Sequence, residues 1–517
     1  MNEEQDDFLD SLAEPATPVV QKFSLNEGQQ AAHDRVVQYV TGEGENLPRI
    51  TLIQGYAGTG KTFTVNRIIE TLKSWSNKQK YDKKLTIAAT APTHKAVRVM
   101  RKNAELGSNV MYATLHSLLK LKPKNDEKTG KKIFVRSTDP ADGKGEANVI
   151  FVDEVSMLGD KSPLFVGIAS DPKINPKDEE VGLWSSLMEL LEEDSSIKLI
   201  LLGDPVQIPP VNEVDSPVFL HPAKYGIEVL ELTESMRQAG DNPILDYATE
   251  IRNTYKNRTI GVTSRLVNET GIQTLAVMDT SDIDEILEKL FGSPEFAADA
   301  DHMKVIAWTN KTVDAFNNKI RRMLYAVPDG MLSLPLLMNG EKLILDERYL
   351  VPDTNGFALP TNEELEVVSY EVIRKAVRYK IWTPMGYSEK SINPQMYKTK
   401  ARFRTIKGHW QEVLLYIVHE RSVMEVKNML EAVRKSCFSA PFGMDRTDMW
   451  KHFFYLEGIF AKIKYNYAVT AHKSQGSTYT NCMLIMWDII KNPKLEERNR
   501  IIYVGATRAK KILYIVQ

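Results

Sequence analysis

Four short apolar runs in the first half of the chain, "RITLIQ" (49–54), "LTIAATA" (85–91), "NVIFVDE" (148–154) and "IKLILLGD" (197–204), are separated by stretches with helical periodicity. A strand with one wet face alternates apolar and polar residues, and these runs do not. Unbroken runs rich in Ile, Val and Leu are what a parallel sheet needs when helices cover both of its faces. "KVIAWT" (304–309), "CMLIMW" (482–487) and "KILYIV" (511–516) repeat the pattern later, so a second unit of the same kind is split by an insertion. The expected fold class is α/β, with two parallel-sheet units. A length of 517 residues leaves room for further domains.

The splitting segment reads differently. From 341 to 418 long alternating stretches such as "ELEVVSYEVIRKAVRYKIWTP" predict the antiparallel strands of a small barrel, and helical patterns follow at 420–436 and 445–462. A smaller insertion at 120–147 predicts a β-hairpin with its tip at Asn125–Gly130. Ser24 and Glu27 have capping-box spacing at the start of the first helix. Residues 1–21 hold six acids and no Lys or Arg, which leaves 66 basic against 62 acidic residues in the remainder. That excess is mild, so a polyanion would be met by local patches. The acidic tail reads as a flexible segment, with a partner-docking peptide as the other reading. Two cysteines provide neither a disulfide framework nor a zinc-ligand set, and no apolar run reaches the length of a spanning helix. The acidic N-terminus is unlike a secretion signal, so a cytoplasmic setting without membrane contact is expected.

"GYAGTGKT" (55–62) follows the first apolar run and opens a helix. Gly55, Gly58 and Gly60 let the backbone curl so that N–H groups, that of Thr59 included, face phosphate oxygens. Lys61 is placed to reach the β- and γ-phosphates of ATP, and Thr62 to put its hydroxyl on Mg²⁺. "FVDEVS" supplies the complement, with Asp153 as a second magnesium residue and Glu154 to orient and deprotonate the attacking water. In "GDPVQIPPV" (203–211), Asp204 and Gln207 stand at the carboxyl end of a strand, where ligands of α/β sheets gather. Gln207 is placed to touch the γ-phosphate, and a turn made by the three prolines is the competing reading.

Taken with "APTHKA" (91–96), "TLHSLL" (114–119), "LTESMRQ" (232–238), "WTNKTV" (308–313), "YAVTAHKSQGSTY" (467–479) and "YVGATRAKK" (503–511), these segments resemble, in order, the motif series of superfamily 1 helicases. The branch they resemble is the 5′-to-3′ one of RecD- and Dda-like enzymes. The resemblance implies two RecA-like domains, at 23–230 and at 231–330 continued by 461–517. It also implies a wedge hairpin at 120–147 and an SH3-like barrel with a helical arm at 331–460, after the 1–22 tail. It makes Gln29 a reader of the adenine edge, Gly476 a nucleotide neighbour, and Arg237 and Arg508 the arginines that reach the γ-phosphate from across the cleft. Single-stranded DNA is expected to lie over Pro92, Thr93, His94, Lys95, Thr114, His116, Trp308, Thr309, Asn310, Thr470, His472 and Ser474. Phe134 would form the apolar face of the wedge.

Bland readings stand beside these. A histidine is commonly a structural residue, Trp308 fits core packing as well as base stacking, and 120–147 fits a solvated basic loop. The expected function is an ATP-dependent DNA helicase moving 5′ to 3′ in replication, recombination or repair. The alternative is an ATP-driven translocase that remodels protein–DNA complexes without unwinding. Expected partners of a monomeric chain are single-stranded and forked duplex DNA. A single-strand-binding or other replication protein would meet the acidic tail or the 331–460 insertion.

Overall fold

The computed structural model describes residues 24–43, 47–79, 84–102, 110–125, 132–136, 147–160, 166–168, 182–234, 242–257, 274–278, 283–327, 333–352, 354, 357–441 and 444–517. The acidic segment 1–22, all of the Asn125–Gly130 hairpin tip but Asn125, and Arg237 fall outside the described residues.

The first sheet has six strands, all parallel. In spatial order they are Val110–Thr114, Ile87–Ala91, Val149–Val152, Lys198–Gly203, Ile50–Gly55 and Ile227–Leu232. Successive residues serve opposite faces. Ile53, Phe151, Ile200 and Leu202 join one core with helices Glu27–Thr41 and Lys61–Asn77. Leu52, Ile150, Leu199 and Leu201 join another with helix Leu183–Glu193, whose Trp184 is fully buried. Both faces are dry, which is why the runs contain no polar alternation. The edge strand "IEVLEL" is the wetter one, exposed at Val229 and Glu231.

The first helix starts two residues later than Ser24 predicts. Asn26 is the N-cap: its Oδ1 accepts the Gln29 N–H at 2.8 Å, and Gln29 Oε1 accepts the Asn26 N–H at 3.1 Å. Asn forms the same reciprocal box with a Gln that Ser forms with a Glu.

The second sheet is also all parallel, in the order Thr274–Met278, Ala509–Val516, Tyr479–Ile485, Met303–Ala307 and Ala468–Thr470. Its two faces again separate, with Ile306 and Leu484 in one core and Val305 and Met483 in the other. The strand expected at 482–487 begins at Tyr479 and ends at Ile485, where a short helix Met486–Ile489 takes over.

The insertion forms a five-stranded antiparallel sheet: Trp410–Val418, Gln395–Arg404, Glu364–Arg374, Lys342–Leu345 and Ile463–Tyr465. Its first and last strands in sequence, Lys342–Leu345 and Ile463–Tyr465, pair side by side, Leu343 opposite Tyr465. The chain therefore leaves and re-enters the second unit at one place. A separate hairpin, Val377–Thr383 with Gly386–Ile392, shares a core with helices Val423–Ser439 and Met444–Gly458, built on Trp450 and Met429. The smaller insertion pairs Leu121–Asn125 with Lys132–Arg136 antiparallel, and gains a third strand, Val166–Ile168, that the sequence did not suggest. Among the described residues no helix is long and apolar enough to cross a membrane.

Candidate nucleotide and nucleic-acid sites

The strand Ile50–Gly55 runs into the loop that precedes helix Lys61–Asn77. Gly58 and Gly60 adopt φ of +85° and +78°, values a side chain resists. A Cβ on Gly55 would lie 2.6 Å from Thr59 Oγ1, so this turn requires glycine on close approach as well. Thr59 is buried and donates to the Tyr56 carbonyl at 2.9 Å. The Lys61 ammonium donates to the carbonyls of Gly55 and Tyr56. Gln29 reaches the same loop, with Nε2 donating to the Thr59 carbonyl at 2.9 Å. Both ends of its amide are engaged, one in the helix cap and one in the P-loop, which sets Gln29 against the loop's backbone.

Asp153 and Glu154 follow the strand Val149–Val152. Asp153 Oδ1 accepts the Glu154 N–H at 2.8 Å. Burial raises the proton affinity of Asp153, and the backbone bond and the Lys61 charge oppose it. Glu154 has φ +55°, a left-handed conformation rare outside glycine and a form of strain that collects at functional sites. Burial and the neighbouring Asp153 carboxylate push its carboxyl up to about 7, while Arg508 and Lys61 pull it down. Arg508 belongs to the second unit, at the end of helix Leu495–Ala506, and is 6% exposed. Its guanidinium donates to the Val504 and Ser477 carbonyls at 3.0 and 3.1 Å.

A magnesium ion fits this donor set. The Thr62 hydroxyl and the Asp153 carboxylate are hard oxygens, and Mg²⁺ characteristically takes one or two protein oxygens and fills the rest with phosphates and water. No cluster of three or more His, Cys, Asp or Glu side chains arranged to hold a metal occurs among the described residues.

The 203–211 loop is gripped by the second unit. Gln207 is buried and accepts from Ser156 Oγ at 3.3 Å. Arg500 donates to the Pro205 and Gln207 carbonyls, and Gln475 Nε2 to the Ile208 carbonyl at 3.0 Å. Arg500 and Tyr503 contact this loop and were not singled out from sequence, although their spacing of three in "RNRIIY" puts them on one helical face.

The residues expected to meet DNA share one local geometry. Thr93, Thr114, Thr309 and Thr470 each stand at the end of a sheet strand or just past it, and each hydroxyl accepts the N–H of the third residue on, at 3.2, 3.2, 3.2 and 3.3 Å, as a helix starts. His94 and Asn310 begin such helices, with Pro92 just ahead of Thr93. Burial depresses the proton affinity of His116, to about 4, and also that of His472, so both imidazoles are neutral near pH 7. Ser474 is buried and donates to the Ala471 carbonyl.

Several of these residues have placements their motifs did not announce. The Lys95 ammonium is 3.1 Å from Asp301 of the second unit and 2.8 Å from Glu364 of the insertion, and lies over the Tyr479 ring. Thr309 donates its hydroxyl proton within the protein, 2.9 Å from Asp488 Oδ1, and Asp488 Oδ2 also takes the N–H groups of Trp308 and Thr309. Trp308, partly buried, packs against a core of the second unit. Gly476, φ +70°, stands against Ala96 and Thr93 of the first unit. Phe134 lies in the strand Lys132–Arg136, opposite Pro123.

Residues 43–174 match the model of an AAA domain, and residues 465–516 that of a UvrD-like helicase C-terminal domain. The ATP-dependent DNA helicase dda of Enterobacteria phage T4 is 24% identical over 505 residues, covering 95% of this chain and 99% of that protein. An uncharacterized protein of Acanthamoeba polyphaga mimivirus is 24% identical over 530 residues, with coverage of 95% and 99%. The crystal structure of Pif1 helicase from Candida albicans aligns with a TM-score of 0.45 at 15% identity, over 95% of this chain and 94% of that one. Family-model matches in both parallel-sheet units and similarity to Dda along nearly the whole chain support a superfamily 1 helicase, an ATP-dependent enzyme by class.

Proposed function

We propose that the protein hydrolyses ATP between its two parallel-sheet units in order to move 5′ to 3′ along single-stranded DNA and part the duplex ahead of it. The observation that carries this reading is the second unit's hold on the 203–211 loop of the first, where Arg500 and Gln475 donate to the carbonyls of Pro205, Gln207 and Ile208. The charges of Lys61, from the first unit, and of Arg508, from the second, both act on the Glu154 carboxyl. A site completed by two units is one whose chemistry depends on how they stand, and that dependence is what a motor requires.

In this reading Lys61 and the P-loop amides hold the phosphates, and Thr62 and Asp153 hold Mg²⁺, which offsets phosphate charge when bound. Glu154 takes the proton of the attacking water, its raised proton affinity matching it to that task near neutral pH. Arg508 exchanges its carbonyl partners for the γ-phosphate, as Arg237 would from its own motif, and Gln207 senses that phosphate. Helix starts at Thr93, Thr114, Thr309 and Thr470 offer backbone N–H groups to DNA phosphates, contacts that hold any sequence alike. Phe134 and the 120–147 hairpin supply the wedge. Replication, recombination or repair is the setting, with protein partners at the acidic tail or the 331–460 insertion.

The test is strand separation on two matched duplexes, one with a 5′ and one with a 3′ single-stranded tail, with ATP and Mg²⁺. Opening of the 5′-tailed duplex alone is expected. Opening from the 3′ tail overturns the direction. If neither opens while DNA still stimulates ATP hydrolysis, remodelling without unwinding replaces the proposal.

A further inference from the structure

Helix Leu495–Ala506 belongs to the second unit, yet one of its faces is spent on the first. Arg500, 2% exposed, donates from Nη1 to the carbonyls of Pro205 (3.0 Å) and Gln207 (2.8 Å) and from Nη2 to Asp215 at 2.7 Å. One turn further on, the Tyr503 oxygen lies 2.6 Å from Asp204 Oδ2 and 3.0 Å from the backbone nitrogen of Ala57, inside the P-loop. A backbone N–H only donates, so the phenol oxygen accepts from Ala57 and its own proton goes to Asp204. The other Asp204 oxygen accepts the Val206 N–H at 3.0 Å, in the turn that carries Gln207. The hydroxyl thus has a single orientation. It ties the P-loop peptide to the Gln207 loop through a residue of the opposite unit.

Asp204 and Tyr503 are each 1% exposed. A phenol-to-carboxylate bond of this length in a dry setting is among the stronger hydrogen bonds. Burial and the Asp204 charge keep the proton on the phenol well above its usual range. A second contact onto the same loop comes from the same unit, where the Arg252 guanidinium sits 4.3 Å from the centre of the Tyr56 ring.

We infer that Tyr503 is a positioning residue for ATP hydrolysis, its hydroxyl setting the Ala57 peptide and, through Asp204, the Gln207 loop according to where the second unit stands. This rests on the reading of the cleft as an ATPase site. Tyr503 has no bond to Lys61 or Gln29, so it acts on turnover more than on nucleotide binding.

The experiment is steady-state ATP hydrolysis by the full chain with saturating oligo(dT), comparing wild type with Tyr503→Phe, Asp204→Asn and the double variant. For Tyr503→Phe, kcat is expected to fall about tenfold or more while KM for ATP moves by about twofold or less. Because both residues act through one bond, the double variant should lose little beyond the worse single one. A Tyr503→Phe protein that is folded at the assay temperature and turns over at the wild-type rate overturns the inference, as do fully additive losses. Should Tyr503→Phe unfold, Asp204→Asn decides: an unchanged kcat refutes, and a lowered kcat with KM held supports. Wild type without ATPase activity overturns the site reading together with the inference. Active wild type, inactive Lys61→Ala and full-rate Tyr503→Phe remove the inference alone.

Discussion

The Lys95 ammonium lies 2.8 Å from the Glu364 carboxylate, joining the first unit to the insertion 269 residues away, and Asp301 of the second unit completes the contact at 3.1 Å. Arg98, one turn along the same helix, pairs with Glu363 at 2.7 Å and donates to the Arg404 carbonyl. All three parts of the chain meet at these side chains. Removing one partner of a half-buried pair strands the other, so Lys95→Met should destabilise the protein by about 1–3 kcal/mol, between the values for exposed and buried pairs. Urea unfolding measures this. An unchanged midpoint with weakened DNA binding would instead make Lys95 a DNA residue alone.

The same cluster has an acid limit. Burial drives the Glu364 carboxyl up, but Lys95 and Lys304 outweigh it and hold it down, to about 2 from 4.5. A carboxyl with a depressed folded-state value contributes stability that is present above pH 4.5 and lost as pH falls towards 2. The stability gap between wild type and Glu364→Gln should therefore be full at pH 7 and shrink by on the order of 2 kcal/mol as pH is lowered through that window. A gap independent of pH would show that the charge of Glu364 is not what the cluster uses.

Lys61→Ala should lower ATP turnover by about a hundredfold or more and leave single-strand binding in place. Glu154→Gln should still bind ATP while hydrolysing it about a hundred- to ten-thousandfold more slowly. Normal turnover in the second variant would mean that water is activated elsewhere. Loss of DNA binding alone in the first would detach the P-loop from nucleotide.

Asp488 takes four hydrogen bonds, from the Trp308 and Thr309 N–H groups and the Thr309 and Thr312 hydroxyls, at 2.8–2.9 Å. Asp488→Ala should weaken single-strand affinity by loosening residues 308–310, yet leave its salt dependence unchanged. Wild type and variant should share a slope near −0.7 per phosphate neutralised, because Asp488 itself neutralises none. A changed slope would place charge contacts at this loop.

Local chemistry was legible in the sequence, and long-range pairing was not. Dry strands announce themselves by unbroken apolar runs, and "GYAGTGKT" fixes its own turn, because only glycine tolerates what Gly58 and Gly60 adopt. The edge strand Ile227–Leu232 was missed because Glu228 and Glu231 interrupt its apolar run. Lys95 was read from its motif, but its partners lie 206 and 269 residues away, and no spacing rule reaches that far. Asp488 likewise has no local pattern. It is a lone acid after a strand whose role exists only once the strand Met303–Ala307 lies beside Tyr479–Ile485. Tyr503 stood in its motif without a role of its own; its ring fills a core, and only its oxygen reaches across.

The neighbouring strands Lys342–Leu345 and Ile463–Tyr465 have a consequence for how such a chain is assembled. An excursion of more than a hundred residues that departs and returns through adjacent strands asks nothing of the sheet it interrupts. It behaves as a cassette, and a short turn across that doorway should reconnect the second unit without it. Such a graft would close the sheet but sever the charge cluster, leaving Lys95 and Arg98 with no acids to face but Asp301.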